Sequence, residues 1–188
     1  LLSLTSCKSY KINNSKIEDN LELSKMVLKD QEIRIKNLEN LDSIDKPQRI
    51  RLMEMIANGN IKTDKDKLNA ALILQHTSLT YCNDKLSSVS NENYLLAYLF
   101  SKSAFENGYK EAAYYVAITY DRYLLYTEGY QKYGTQRIFD ENEEEVWAPI
   151  DTKTTDEERA EYNVPPLKEL LKKYKIKQFN NNENNSEK

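Results

Sequence analysis

Residues 91–126 read NENYLLAYLFSKSAFENGYKEAAYYVAITYDRYLLY, and this stretch decides the fold. Apolar and small residues recur in it at intervals of three or four, which is the spacing of one face of an α-helix. Gly108 interrupts the pattern, as glycine commonly does where a helix ends. The stretch therefore predicts a helix over 91–107 and another over 110–126. The residues expected on their inward faces are Leu95, Leu99, Ala104, Ala113, Val116, Ala117, Tyr120 and Leu124.

The two segments resemble a helical hairpin of the tetratricopeptide or Sel1 type. The resemblance rests on a glycine turn and on four small residues that let helices approach closely, Ala97, Ala104, Ala113 and Ala117. An array of such units needs about three or more copies to bury a continuous core. Only one unit is visible in this chain, so the sequence predicts a single hairpin inside a bundle.

Helical periodicity continues on both sides of the hairpin. Pro47 is expected to separate the first two helices, because the residue before a proline avoids the helical conformation. Residues 83–90 are predicted to be a polar linker, and residues 127–165 a long irregular loop. Cys82 ends an apolar helical pattern and is expected to be a small buried side chain. The further helices are predicted over 18–41, 48–57, 66–81 and 166–174.

The composition indicates an all-α fold. Glycine and proline number four each among 188 residues, so helix-breaking residues are few. Residues 21–177 form a segment of ordinary size for one domain with one core. The sequence therefore predicts a single compact bundle of about five to six helices, with the hairpin inside it and the irregular loop near its C-terminal end.

Charge and cysteine usage exclude several classes of partner. Lys and Arg number 27 against 30 Asp and Glu, a formal charge of -3, which lacks the basic field that nucleic acid requires. No apolar stretch reaches the roughly 18 residues of a membrane-spanning helix. Cys7, Cys82 and the single histidine, His76, lack the spacing of a metal site, and no cofactor is expected. A Cys7–Cys82 disulfide has no supporting pattern.

The N-terminus carries an export signal by resemblance. Leu4-Thr5-Ser6-Cys7 resembles the bacterial lipobox, in which a leucine and two small residues precede the cysteine that is acylated. The chain does not begin with methionine, so residues 1–7 are expected to be the end of a signal peptide. Polar residues 8–20 are expected to be a tether, and the Asn-rich residues 178–188 a disordered tail. The alternative is an ordinary buried cysteine in a short N-terminal strand.

The lipobox resemblance implies a location. An acylated Cys7 would attach the chain to the bacterial outer membrane, since more than one acyl chain gives stable anchoring. In the lipoproteins it resembles, display on the cell surface goes with acidic residues just after the cysteine. Here Lys8-Ser9-Tyr10-Lys11 follow, which implies a periplasm-facing protein. The expected partners are the membrane, through Cys7, and another envelope protein.

A second resemblance covers roughly residues 25–175. The chain is similar to a bacterial domain family of unknown function, and that family implies no activity. The chain departs from the family at Glu158-Arg159-Ala160-Glu161, where the family has a basic pair, and at Asn163-Val164, where it has Gly-Leu. The matching segments are Asp30-Gln31-Glu32 with Arg34, Gln75-His76, Asp121-Arg122, Gln131, Tyr133-Gly134-Thr135-Gln136, Pro149-Ile150, Pro166-Leu167 and Tyr174.

Polar residues in these segments suggest a shared pocket. Asp121 falls in the apolar stripe of the helix over 110–126, and a buried carboxylate must be paired or hydrogen-bonded. His76 borders the stripe of the helix over 66–81, so the two are candidates for a catalytic base and the group that orients it. Arg34 and Arg122 are candidate clamps for an anionic group. The remaining candidate ligand contacts are Gln131, Tyr133, Thr135 and Gln136.

Two interpretations of these residues stay open. In one, they form a buried network that holds the helices together, and the chain is a lipid-anchored binding or scaffold module of an envelope assembly. In the other, His76 and Asp121 make it a small periplasmic enzyme that performs hydrolysis or group transfer. The sequence contains no serine or cysteine nucleophile motif and no phosphate-binding loop, so it gives the enzyme interpretation no catalytic signature. Whether the chain is an enzyme therefore does not follow from the sequence.

Overall fold

The computed structural model describes residues 17–36, 41–82 and 85–176. The lipobox with Cys7, most of the tether and the tail 178–188 lie outside these ranges. Within them the chain forms seven α-helices and two small antiparallel sheets, so the predicted all-α class is confirmed. None of the helices in the described ranges has the length and apolar character needed to cross a membrane.

The elements follow one another with short connections. The helices are α1 (Leu21–Ile35), α2 (Asp42–Ala57), α3 (Asp64–Leu74), α4 (Asn91–Glu106), α5 (Ala113–Glu128), α6 (Asp156–Glu161) and α7 (Leu167–Leu170). A 3₁₀ turn, Lys110–Ala112, leads into α5. The strands pair as two hairpins, β1 (Leu79–Cys82) with β2 (Lys85–Ser88) and β3 (Arg137–Phe139) with β4 (Glu145–Trp147).

The predicted hairpin is present as α4 and α5. Its four alanines are all buried, so the two helices pack closely. Tyr98 stacks on Tyr120 with ring centroids 4.4 Å apart. The inward placement of Leu99 was wrong, because this side chain is exposed. The buried face of α4 consists of Tyr94, Ala97, Ser101 and Ala104, which turns Leu99 to the opposite side of the helix.

The larger core lies between α1, α2, α3 and α4, and α3 contributes most to it. A capping box of Thr63 and Asp66 begins α3. The Asp66 carboxylate also accepts the backbone N–H of Asn20 at 2.7 Å, and Asn20 is the N-cap of α1. The starts of α1 and α3 are therefore fixed to each other. The core side chains are Leu23, Val27, Leu52, Met55, Ala70, Ala71, Ile73, Leu74 and Ala97.

The helix predicted over 66–81 ends at Leu74, and part of the predicted linker over 83–90 is strand β2. Side chains from other elements take the carbonyl groups that a longer helix would have used. Arg122 donates to the carbonyl of Gln75, Arg49 to that of His76, and Tyr94 to that of Thr77. Tertiary hydrogen bonds thus end this helix. Cys82 consequently lies on a strand rather than at the end of a helix.

Two other predicted helix boundaries were wrong. The first helix is α1, which ends at Ile35, and Leu41 is the N-cap of α2. Pro47 does not separate these helices, because it lies in the second turn of α2. A proline there lacks one backbone donor but keeps a helical φ, and the helix continues through it.

The region predicted to be an irregular loop, 127–165, contains β3, β4 and α6. Strands of three residues are too short to show an alternating pattern in the sequence, and α6 has only six residues. The last helix is also shorter than predicted. These elements enclose a second core around Trp147, whose indole N–H donates to the carbonyl of Leu170 at 2.9 Å. Its members are Ala117, Tyr133, Trp147, Ile150, Val164 and Leu170.

The carboxylate of Asp121 makes the densest set of hydrogen bonds between this region and α5. Asp121 is fully buried, and its Oδ1 atom accepts the backbone N–H groups of Lys132 and Tyr133, each at 2.8 Å. Its Oδ2 atom accepts those of Gly134 and Thr135 at 2.9 Å and the Thr135 hydroxyl at 2.8 Å. Burial raises the pKa of the Asp121 carboxyl, and these donors oppose the rise.

Arg159 holds the same loop from its other side. This side chain is fully buried, and its Nε donates to the carbonyl of Tyr133 at 3.0 Å. Its other nitrogens donate to the carbonyls of Thr154 and Asp151. The loop around Gly134 is therefore bound through its N–H groups by Asp121 and through a carbonyl by Arg159.

We expect Asp121→Ala to lower the free energy of unfolding by about 3 kcal/mol or more, because each buried donor left without an acceptor costs ~1–3 kcal/mol. Glu128→Ala, on the exposed end of the same helix, should change it by less than about 0.5 kcal/mol. Urea unfolding followed by the fluorescence of Trp147 measures both. Equal stabilities of the two variants would contradict the role given to Asp121.

Candidate functional site

A cavity of about 340 Å³ lies between the end of α3, α5 and the start of β3. This volume is at the lower end of the range for small-molecule sites. Tyr94, Leu125 and Tyr126 supply apolar surface to its wall. The polar side chains that line it include Arg34, Asp45, Gln75, His76, Arg122 and Gln136. Four of the eight predicted catalytic and ligand-contact residues, Arg34, His76, Arg122 and Gln136, are thus brought together around one space.

His76 is held between a donor and an acceptor. Its Nδ1 atom lies 2.9 Å from Nε of Arg34 and 3.0 Å from Oδ2 of Asp30. A neutral Nδ1 without a proton accepts from the arginine, and a protonated Nδ1 donates to the carboxylate. Arg34 also donates to Asp45 at 2.7 Å and to Asp30 at 3.2 Å. This network joins α1, α2 and the segment after α3.

Burial decides the charge of the imidazole. It lowers the pKa of His76 below the ordinary 6.5, although the Asp30 carboxylate opposes the shift by stabilising the protonated form. Burial alone would raise the pKa of Asp30, but His76 and Arg34 together bring it below its ordinary value. At neutral pH the cavity is therefore lined by a neutral imidazole beside an ionised carboxylate.

Arg122 is the cation in the cavity wall that lacks an acidic partner. Its Nε donates to Oε1 of Gln136 at 3.2 Å, and Nη1 donates to the carbonyl of Gln75 at 2.7 Å. Among the described residues no carboxylate forms an ion pair with it. Burial lowers the pKa of the Arg122 guanidinium, and the charge of Arg34 lowers it further. A guanidinium has five N–H groups and stays protonated in proteins, so its charge is left uncompensated.

Gln75 is one of the residues that line the cavity, but the Oε1 atom of its side chain has almost no accessible surface and no hydrogen-bond partner in the described part of the chain. Buried polar atoms in native proteins nearly always have a partner. Because this atom is enclosed, a molecule in the cavity would contact it only if the amide group turned toward the cavity.

The predicted pairing of His76 with Asp121 was wrong. The acidic partner of His76 is Asp30, because all the hydrogen bonds of Asp121 are directed into the loop at 132–135. The predicted ligand contacts of Gln131, Tyr133 and Thr135 are also replaced by internal ones. Gln131 is fully buried and bonds to the backbone of Gln136 and Ala148.

The other two predicted ligand contacts, Tyr133 and Thr135, also make internal contacts. The Thr135 hydroxyl donates to Asp121, and Tyr133 belongs to the second core. Gln131, Tyr133 and Thr135 are therefore not among the residues that line the cavity, and of the predicted loop contacts only Gln136 reaches it.

Among the polar residues at the site, sequence reasoning missed Asp30, Asp45 and Gln75. Asp30 was detectable, because it precedes Arg34 by four residues and such pairs share a helix face. Gln75 was part of a recognised segment but has no charge to mark it. Asp45 lies on a different helix, and no sequence pattern links it to Arg34.

Comparisons with protein-family models, with curated proteins and with solved structures found no match to this chain. The site must therefore be interpreted from its own chemistry. Within the described ranges, no three His, Cys, Asp or Glu side chains form a group that would hold a metal ion.

We expect the contribution of His76 to the stability of the protein to fall as the pH is lowered from about 7 to about 5. The folded form holds His76 neutral below the pKa of a free imidazole, so the unfolded form binds more protons in this window. Stability is therefore fully present above about pH 6.5 and is lost below it, with a slope of at most ~1.4 kcal/mol per pH unit for one proton. Asp30, whose pKa is lowered, stays ionised throughout.

The matched variant is His76→Asn, which keeps an acceptor near the position of Nδ1 and removes the titrating group. Urea unfolding at a series of pH values should show a flatter dependence for this variant, because His76 is the chain's single histidine. Parallel pH profiles for the wild type and the variant would contradict the stated environment of His76.

Proposed function

We propose that this chain is a binding module that takes a small organic anion in the cavity lined by Arg34, His76, Arg122 and Gln136. The observation that carries the proposal is Arg122, a cavity-lining guanidinium without an acidic partner in the described part of the chain. Removing a charge from water is costly unless an opposite charge or a set of hydrogen bonds replaces the lost hydration. A carboxylate or phosphate group in the cavity would supply that opposite charge.

The N–H groups of Arg122 that have no partner among the described residues indicate which class of ligand the cavity would bind. Two of the five N–H groups of Arg122 are used by Gln75 and Gln136, so three remain for an anion, which arginine binds through two parallel hydrogen bonds. A small carboxylate or phosphate group fits this requirement.

A second candidate function is catalysis by His76. The Asp30 carboxylate lies 3.0 Å from Nδ1 of His76. A neutral imidazole whose proton is on Nδ1 and is donated to this carboxylate, rather than one that accepts from Arg34, leaves Nε2 free to act as a general base. Under this alternative the chain is a small hydrolase or group-transfer enzyme in which Asp30, not Asp121, orients the base. Binding ranks first because the cavity supplies an anion contact, whereas the sequence offers no nucleophile motif.

The place of action follows from the lipobox resemblance. We propose that Cys7 is acylated and that the domain is tethered to the bacterial outer membrane, facing the periplasm. An anchored module that captures a small polar molecule, for itself or for an envelope partner, accounts for both the anchor and the cavity.

We expect small anions to raise the melting temperature of the full chain. Inorganic phosphate and malate are compared with chloride at equal ionic strength, so that general screening cancels. A ligand at about 100 times its Kd contributes ~2.7 kcal/mol, which corresponds to several degrees. Arg122→Gln should abolish the rise, and Arg122→Lys should reduce it because lysine lacks the planar fork.

The control for this experiment is Arg51→Gln. Arg51 is exposed and forms ion pairs with Glu22 and Glu54, so its loss should leave the anion response unchanged. If no anion raises the melting temperature above chloride, or if Arg122→Gln responds like the wild type, the binding proposal fails. His76→Asn separates the two candidate functions, since catalysis requires the imidazole and the anion contact of Arg122 does not.

We expect the mature protein in its host to begin at Cys7 and to carry acyl chains on it. Intact-mass measurement of the protein extracted from membranes tests this directly. Cys7→Ser should leave the fold unchanged and release the protein from the membrane fraction. An unmodified Cys7 with residues 1–6 still attached would contradict the anchor.

A further inference from the structure

Helix α1 carries a row of apolar side chains on the side that faces away from the core. Leu21, Leu28 and Ile35 are 74%, 71% and 82% exposed. Their spacing of seven residues, almost two helical turns, places them above one another on one face. The buried residues of the helix, Leu23, Val27, Asp30 and Ile33, lie on the other side. Burying large apolar side chains is favourable, so such a row on the surface calls for a partner.

We infer that this row lies against the surface of a lipid bilayer. The inference rests for its placement on the proposed anchor at Cys7, because α1 begins fourteen residues after that cysteine. A chain of that length spans at most about 50 Å. An anchor on Cys7 would therefore keep α1 close to the membrane, where its apolar row reaches the headgroup layer.

The charges around the row suit a bacterial membrane. Lys25 and Lys29 are exposed beside it, one turn of helix apart. Glu32 also lies on this face, but it forms an ion pair with Lys36, so the two charges offset each other. A helix that lies in the interface typically has apolar residues on one side and lysines at its edge, where they contact anionic headgroups.

Pairing with a second copy of the chain fits the row less well. Two helices that pack as a coiled coil need two columns of apolar residues, at the a and d positions. Here the second column would fall on Ser24 and Gln31, which are polar. A stable dimer also buries about 1,200 Å² or more, which one row of three side chains does not provide.

The test is flotation of the full chain with lipid vesicles, using Cys7→Ser as the background so that no acyl chain contributes. Vesicles of phosphatidylethanolamine with phosphatidylglycerol are compared with vesicles of phosphatidylcholine alone, at high lipid concentration. The row variant is Leu21→Gln, Leu28→Gln and Ile35→Gln combined. The matched control replaces three exposed apolar residues on other elements, Val89→Gln, Leu99→Gln and Phe139→Gln.

We expect the background chain to float with the anionic vesicles. The row variant should bind these vesicles with an affinity at least about tenfold lower. The control should bind like the background, and Lys25→Gln with Lys29→Gln should weaken binding to the anionic vesicles only. Equal flotation of the row variant and the control, or no flotation of the background chain, would overturn the inference. The inference would also be overturned if the background chain formed a dimer and the row variant did not. An unmodified Cys7 in the host would refute the anchor and leave the vesicle result standing.

Discussion

The carboxylate of Asp121 accepts hydrogen bonds from four consecutive backbone N–H groups, and it thereby holds to α5 the loop from which the rest of the C-terminal region continues. The elements that follow are a pair of three-residue strands and two helices of six and four residues. Elements of that length are not stable alone. Their arrangement comes instead from polar contacts with α5 and from the second core. Gly134 allows the loop to adopt this shape. Its φ of +96° turns the backbone, and a Cβ at this position would lie 2.7 Å from the side chain of Leu170.

The hydrogen bonds of Asp121 also affect the cavity wall indirectly. Neighbouring residues on a helix point in directions about 100° apart, so Asp121 enters the loop while Arg122 enters the cavity wall. Gln136 directly follows the segment 132–135 that Asp121 binds, and its side-chain oxygen accepts a hydrogen bond from Nε of Arg122. The position of this amide, and through it the direction of the guanidinium, therefore depends on Asp121. A structural network and the proposed ligand site are therefore compatible, since the network positions residues of the cavity wall.

The features that could be predicted from the sequence are those that depend on the spacing of nearby residues. The α4–α5 hairpin and the burial of Asp121 both followed from helical periodicity, because an acidic residue inside an apolar stripe must be enclosed with its partners. The end of α3 did not follow, since Arg122, Arg49 and Tyr94 impose it from distant positions. The same limit explains the missed Asp30–His76 pair. Spacing shows which residues share a face of one helix, but which faces meet is decided by packing.

The two sides of α1 separate the exposed apolar row from the cavity. Asp30, beside His76, is buried two residues after the exposed Leu28 and lies on the opposite side of the helix. A bilayer against the Leu21, Leu28 and Ile35 row would thus have α1 between itself and the cavity. The apolar row and the cavity would therefore serve different contacts, the row with lipid and the cavity with a polar ligand. The guanidinium of Arg122 in the cavity wall suits a small dissolved anion better than a lipid tail.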